Sequence, residues 1–524
     1  MQLERFGGIS TYNESNMKSF QPKSTGLFIG GAFLAIAACM AGSGDANVKA
    51  TVEPAATAGK AIQGRKTVSQ LYAENCVNCH GPNGEGGGGG TRTLITRDKF
   101  DQTHDRPFFD AIKDGVADTP MPAYKESLTD QQIWGLVVRI RELQGRALRA
   151  ESGSPKPENG VYRSKHHNFK VETVVEEGKG LETPWGIDWL PDGRMLVANR
   201  PGKVLLFDGA KSVEITGVPK SLETGQGGMM EVSVHPNYRD NGWIYLSFTD
   251  AATEGRGSMT RIVRGKLKRE GETTSWTGQQ TVFEVGQEFY TRASHHYGSR
   301  IAFDGKGHVF FVVGERGSNE LAQELTNPFG KIYRLNEDGT IPTDNPFVDK
   351  VPSDKPYLKG IWSYGHRNPQ GLALNSKGEL WATEHGPRGG DEVNRIVKGT
   401  NYGWPVVAWS INYNDMPMWS PWPKDDKTVK QPVFRWIPST GACGLDVMKG
   451  AGFPNWKGDL LAGGLVGQNL DRIRTDGDKL VEREELIHGL GRIRDVSVGP
   501  DGNVYIALNQ PDKIIRLTPS PQPR

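Results

Sequence analysis

The chain has 524 residues, with 63 Lys and Arg set against 61 Asp and Glu for a formal charge of +2. The absence of a basic field argues against nucleic acid as a partner, and 67 Gly with 32 Pro favour a turn-rich β protein over long coiled coils. The length exceeds one average domain of roughly 100–200 residues, and four cysteines, Cys39, Cys76, Cys79 and Cys443, are too few for a disulfide scaffold.

Residues 1–39 read as an export signal. Behind Lys18 and Lys23, the apolar run from Gly26 to Ala38 spans 13 residues and ends in small side chains. A membrane-spanning helix requires roughly 20. Ile36, Ala37, Ala38 and Cys39 also have the form of a lipobox, so Cys39 is either an acylated first residue, giving a lipid anchor, or lies beside an ordinary cleavage site. Met17 is an alternative start. Either processing places the protein in the periplasm or cell envelope. Residues 40–63 are small and polar and read as a flexible tether.

Residues 64–146 read as a small all-α domain. LYAENCVNCHGPNGEG contains C-x-x-C-H, in which Cys76 and Cys79 bond a haem c and His80 reaches its iron. Val68, Leu71, Tyr72 and Cys76 recur at helical spacing. Between Cys79 and Pro155 the single methionine is Met121, flanked by Pro120 and Pro122, and it is assigned as the second iron ligand. His104 is the competing ligand. Thr129 and Gln132 have capping-box spacing ahead of a helix whose apolar face is traced by Ile133, Trp134, Val137 and Ile140. The segment resembles a class I cytochrome c, which implies a Met-His haem carrying one electron at a time. Residues 147–170, polar and carrying Pro and Gly, read as a linker.

From residue 171 to 524 an apolar strand, a turn usually containing Gly and a second apolar strand recur in GIDWLPDGRMLVANR, VSVHPNYRDNGWIYLSF, IAFDGKGHVFFVVGE, LALNSKGELWATEHG, FPNWKGDLLAGGL and VSVGPDGNVYIALNQ. Such repetition predicts an all-β six-bladed β-propeller. Polar residues cluster at the ends of these repeats, where loops of a propeller converge.

Those clusters carry a resemblance. GQGGMMEVSVHP, HHYGSRIAF, GHRNPQGLAL, EHGPRGGDEVNRIVKGTNYGWP and GRIRDV, in that order, resemble the soluble quinoprotein aldose dehydrogenases, also called glucose and sorbosone dehydrogenases, over nearly all of residues 175–520. The resemblance implies a six-bladed propeller using pyrroloquinoline quinone (PQQ) and calcium. It implies that His296 is the base for the anomeric hydroxyl, that Glu315 orients it, and that Arg367 stabilises charge on the quinone oxygens, which Asn368 also contacts. Gln226, Arg300, Asp391, Arg492 and Arg494 are implied around the cofactor, and the backbone carbonyls of Gly386 and Pro387 at calcium. Arg492 and Arg494 alternate on a strand and point the same way, which suits a tricarboxylate. Val466 stands where the family usually supplies a Lys that pairs a cofactor carboxylate, and His385 where relatives often carry Gln. Arg388 and Lys398 read as solvated surface, and Cys443 as a buried small residue.

The expected activity is oxidation of an aldose at its anomeric carbon to the lactone. Electrons then pass singly to the haem and on to an external cytochrome, copper protein or terminal oxidase. The alternatives are a non-sugar alcohol or aldehyde as substrate, or a non-catalytic propeller serving as a binding module that presents a cytochrome, which Val466 favours.

Overall fold

Two capping boxes start the helices that the sequence anticipates. Thr67 and Thr129 each accept a hydrogen bond from the backbone of the residue three positions on, Gln70 and Gln132, whose side chains bond back to the threonine N–H. Helix α1 is Val68–Asn75, α2 Val77–His80, α3 Asp105–Asp114 and α4 Asp130–Ser152. In this computed structural model, residues 66–87, 92–209, 211–418 and 426–521 are described, all within one compact unit, Gln63–Arg524. The expected export signal and tether lie outside the described residues. Among the described residues no helix is long and apolar enough to cross a membrane.

Leu71, Tyr72, Phe109, Ile133, Leu136 and Ile140 form the core of the helical segment. Helix α4 does not stop at residue 146 but continues through the first six residues of the expected linker to Ser152, because ALRAES offers mostly good helix formers and no Gly or Pro. The linker's far end is strand as well, with Asn168–Val175 pairing near the C-terminus.

Beyond residue 180 the chain builds antiparallel four-stranded units. The first runs from Pro184–Trp189 to Lys211–Thr216 and the second from Met229–Val234 to Thr273–Phe283. Their outer strands pair in parallel, Thr274 opposite Ile215 and Ser275 opposite Thr216, which merges them into one eight-stranded sheet. Units beginning at Gly298–Phe303, Pro369–Leu374 and Ala442–Val447 follow. The last consists of Arg492–Val498, Val504–Asn509 and Lys513–Ser520, completed by Asn168–Val175, with Val171 opposite Leu517. One sheet thus ties the two ends of the β region together. The first strands of successive units touch in order, and Arg492–Val498 touches Pro184–Trp189, closing a propeller-like ring.

The inner strands of these sheets are buried on both faces, which explains their near-continuous apolar sequence. Val309, Phe311 and Val313 pack on the preceding unit beside Tyr245 and Ile262, while Phe310 and Val312 between them pack on the following one beside Leu372 and Ala382. Period-two alternation directs successive residues to opposite neighbours.

The helical segment docks on loops of the ring. The backbone N–H groups of Val68 and Ser69 donate to Asp415, at its carbonyl (2.7 Å) and its carboxylate (2.9 Å). Val68, Val138 and Ile411 share a small core. Asp105 at the start of α3 bridges Arg141 of α4 at 2.7 Å and Arg435 of the ring at 2.5 Å, all three side chains being buried. Replacing Asp105 by Ala leaves two buried guanidinium groups without their shared carboxylate. It is expected to destabilise the helical segment and its docking by about 3 kcal/mol, read as a lowered urea midpoint of the far-ultraviolet helical signal; an unchanged midpoint contradicts the bridge.

Candidate active site

The first strands of the units all begin at one end of the ring, and a cavity of about 470 Å³ opens there, within the range of roughly 300–1,000 Å³ of small-molecule sites. Of the residues singled out in the sequence, Gln226, Asn368, His385, Gly386, Pro387, Arg388, Val466, Arg492 and Arg494 line it.

His296 stands behind this wall. Its backbone N–H donates to Oε1 of Gln226 at 2.9 Å, and its φ of +55° places it in the left-handed region, a conformation that surrounding structure must hold. Gly314 supplies part of that hold: a Cβ there would lie 2.2 Å from the carbonyl oxygen of His296, so no other residue fits beneath this loop. The N–H of Glu315 donates to the carbonyl of Arg367 at 2.9 Å, which joins the loops bearing base, carboxylate and guanidinium.

The geometry of the pair is tight. Nδ1 of His296 lies 2.8 Å from both carboxylate oxygens of Glu315, and Gly317 N–H donates to the same carboxylate at 2.8 Å. Burial pushes the His296 imidazolium down to about 4, aided by Arg367 and opposed by Glu315. Burial acts to raise the Glu315 carboxyl, but the hydrogen bond from His296 and the nearby cations outweigh it and hold Glu315 below the usual carboxylate range. An ionised carboxylate only accepts, so the proton resides on Nδ1 and the Nε2 lone pair is free.

Arg367 is buried and donates to the carbonyls of His385 (3.4 Å) and Gly386 (3.2 Å); its Nε has no partner among the described residues. The Arg494 guanidinium lies 4.4 Å from the centre of the Trp185 ring. Burial lowers Arg494 to about 10, and its Nε likewise lacks a partner. His385 is held down to about 3 by burial and by Arg367, and stays uncharged. Cationic donors left unmatched beside a cavity suit an anionic ligand, so the donor set fits a flat tricarboxylate quinone.

Two expected cofactor residues lie elsewhere. Arg300 does not line the cavity: its guanidinium is enclosed by Glu231 (2.8 Å), Asp495 (3.1 Å) and the carbonyl of Gln370 (2.8 Å). Asp391 is also beneath the surface, accepting from Gly386 N–H (2.9 Å), Ser439 (2.8 Å) and Ala442 N–H (3.0 Å), and shapes the loop from which Gly386 and Pro387 project. The Gly386 carbonyl, expected at calcium together with that of Pro387, accepts from Arg367 at 3.2 Å and keeps a second lone pair for a hard cation. No cluster of metal-binding side chains stands among the described residues. Arg388 is a bridge and not solvated surface, bonding Glu142 at 3.0 Å and Asp415 at 2.7 Å. Cys443 is buried, its Sγ donating to Arg494 O at 3.1 Å.

In the helical segment, Nδ1 of His80 lies 3.3 Å from the carbonyl oxygen of Arg92. That acceptor places the proton on Nδ1 and frees Nε2 for a metal. Cys76 is half-buried and Cys79 exposed. Met121 packs at the edge of the helical core on a loop pinned by Val116 N–H to Met121 O (3.3 Å) and by Thr119 to Val116 O (2.8 Å). This nitrogen, sulfur and thiol set fits a covalent haem. His104, the competing ligand, sits 3.4 Å from Asp101 ahead of α3.

Sequence reasoning missed Glu142 and Arg146, which line the cavity from α4 of the helical segment. Their spacing of four residues on one helix face was the available signal.

Residues 181–516 match the family model of the glucose/sorbosone dehydrogenases, and residues 64–138 that of the cbb3-type cytochrome c oxidase subunit III. The aldose sugar dehydrogenase YliI of Escherichia coli K12 is 35% identical over 345 residues, 65% of this chain and 91% of that protein. The solved apo-form of the soluble aldose sugar dehydrogenase from Escherichia coli aligns with a TM-score of 0.61 at 35% identity, over 67% of this chain and 100% of that one. The PQQ-bound aldose sugar dehydrogenase from Streptomyces coelicolor aligns with a TM-score of 0.54 at 27% identity, over 67% and 98%. Fold and comparisons together define a propeller-like dehydrogenase preceded by a cytochrome segment. The chain belongs to the glucose/sorbosone dehydrogenase family of oxidoreductases and carries a cytochrome c domain.

The site's electrostatics are directly checkable. In protein carrying isotope-labelled histidine, the His296 ring is expected to show neutral, Nδ1-protonated shifts down to about pH 4; titration near the ordinary value of about 6.5 contradicts the enclosure described.

Proposed function

We propose that the chain is an exported, six-bladed propeller dehydrogenase fused to an all-α cytochrome c domain, which oxidises an aldose at its anomeric carbon to the lactone. PQQ is the first acceptor and haem c the exit to an external cytochrome, copper protein or terminal oxidase. The observation that carries this reading is the uncharged His296, held by Glu315, beside a cavity where Arg492 and Arg494 have no carboxylate partner among the described residues. The proposed domains are residues 64–152 for the cytochrome and 171–524 for the propeller, the cytochrome's C-terminal boundary being set by the end of α4.

Nε2 of His296 takes the proton of the anomeric hydroxyl. Glu315 fixes the ring through Nδ1 and stabilises the imidazolium as it forms. Gln226 holds the backbone of His296 at its strained φ, so the base does not drift from the cavity. Arg367 presents its guanidinium where negative charge develops on the acceptor, and Arg492 and Arg494 hold carboxylates. PQQ, when bound, supplies the carbonyl that accepts hydride. Cys76, Cys79, His80 and Met121 would hold a haem, which would supply a one-electron carrier. Oxidation of an aldose to a lactone releases two electrons and two protons, so a one-electron exit operates twice per turnover. The backbone carbonyls of Gly386 and Pro387 would hold calcium beside the cofactor. One observation favours a binding module instead: Val466 is 67% exposed and puts an apolar side chain in the cavity wall.

With PQQ and a dye acceptor, His296→Ala is expected to lower kcat by about 1,000-fold while the cofactor still binds; full activity removes His296 as the base. In the unaltered enzyme kcat/KM is expected to be flat above about pH 5 and to fall as pH drops through about 4, where the imidazole gains a proton and loses its lone pair. A limb that does not move in Glu315→Gln contradicts the pairing. Met121→Ala is expected to change the haem spectrum and to slow haem re-oxidation with dye reduction intact, and an unperturbed spectrum excludes Met121 as ligand.

A further inference from the structure

The cavity has walls of two origins. Most of it belongs to the ring, but Glu142 and Arg146 reach it from α4 of the cytochrome domain. They are four residues apart and share one helix face, the spacing at which Glu and Arg ordinarily pair. Here they do not, because Glu142 is engaged from the other side. Arg388 donates to it through Nε (3.0 Å) and a terminal nitrogen (3.2 Å), and Arg139 donates at 3.0 Å. Arg146 is exposed and has no hydrogen-bond or ion-pair partner among the described residues.

The charge along the wall is lopsided. Arg146, Arg388, Arg492 and Arg494 line the cavity against one carboxylate, Glu142, a balance of four minus one, or three unmatched positive charges. Arg388 is neutralised by Glu142 and by Asp415, so the excess resides on Arg146, Arg492 and Arg494. Two of these belong to the ring and the third to the cytochrome. Val466, also in this wall, contributes none.

We propose that Arg146 of the cytochrome domain is an anion-binding residue of the cavity, pairing a carboxylate of the bound cofactor so that the ligand is gripped from both domains. The inference rests on the PQQ reading above and names which residue completes that site. A ligand held across the two domains also strengthens their docking by the amount that docking strengthens its binding, as linkage requires. The cytochrome is then part of the cofactor site as well as the exit for electrons.

The test is calorimetric titration of full-length, haem-loaded protein with PQQ. Arg146→Gln is expected to raise Kd about tenfold, the size of one charge-assisted contact, and to flatten its dependence on salt, with the haem spectrum and melting temperature unchanged. Arg146→Lys should recover part of the loss. Adding Val466→Lys to Arg146→Gln should restore most of it, because a cation returns to the same cavity from the ring. Arg97→Gln, in the same domain but paired with Glu151 of that domain outside the cavity, should bind as the unaltered protein does. A Kd for Arg146→Gln within twofold of the unaltered protein overturns this inference and leaves the PQQ reading standing. Failure of the unaltered protein to bind PQQ overturns that reading and this inference with it.

Discussion

Burial of charge without a countercharge governs the cavity end of this molecule. A guanidinium taken from water is costly unless an anion meets it, yet Arg494 and Arg367 each retain a buried nitrogen with no partner among the described residues. The scaffold tolerates this because inner strands such as His308–Val313 are anchored on both faces by apolar packing. The same field sorts protonation states: burial and Arg367 keep His296 uncharged, while Glu315, the carboxylate within its reach, stays ionised. A neutral base therefore stands beside a cavity that attracts an anion, which a dehydrogenase with an anionic cofactor requires.

The loops that build the cavity also receive the cytochrome. Arg388, next to Pro387 of the cavity wall, holds Glu142 of α4 and Asp415 together. Asp415 in turn accepts from the start of α1. Pro438, which lines the cavity, packs so closely on α4 that a Cβ at Gly145 would lie 2.8 Å from it. Docking and ligand binding thus draw on common residues, and a change to one is felt by the other.

Much of this was legible in the sequence. Alternating apolar strands and their turns gave the propeller-like ring, and the capping boxes at Thr67 and Thr129 gave two helix starts. The pairing of His296 with Glu315 came from resemblance, since nothing in residue spacing announces a contact made across a hairpin. Charged residues were the blind spot. Arg300 and Asp391 looked like cavity residues and are enclosed below it, and Arg388 looked like surface and is a bridge. In each case the deciding fact is a partner distant in the chain, 246 residues away for Arg388 and Glu142. The parallel pairing of the strands at Ile215 and Thr274 and the run of α4 to Ser152 escaped notice for a related reason: local patterns report faces, not neighbours.

The most direct test of the account is the haem absorbance of oxidised, full-length protein mixed rapidly with PQQ and a panel of aldoses. The account predicts haem reduction when both PQQ and a suitable sugar are present, and none with either alone. Haem that stays oxidised with every sugar, in protein shown to have bound PQQ, would contradict it.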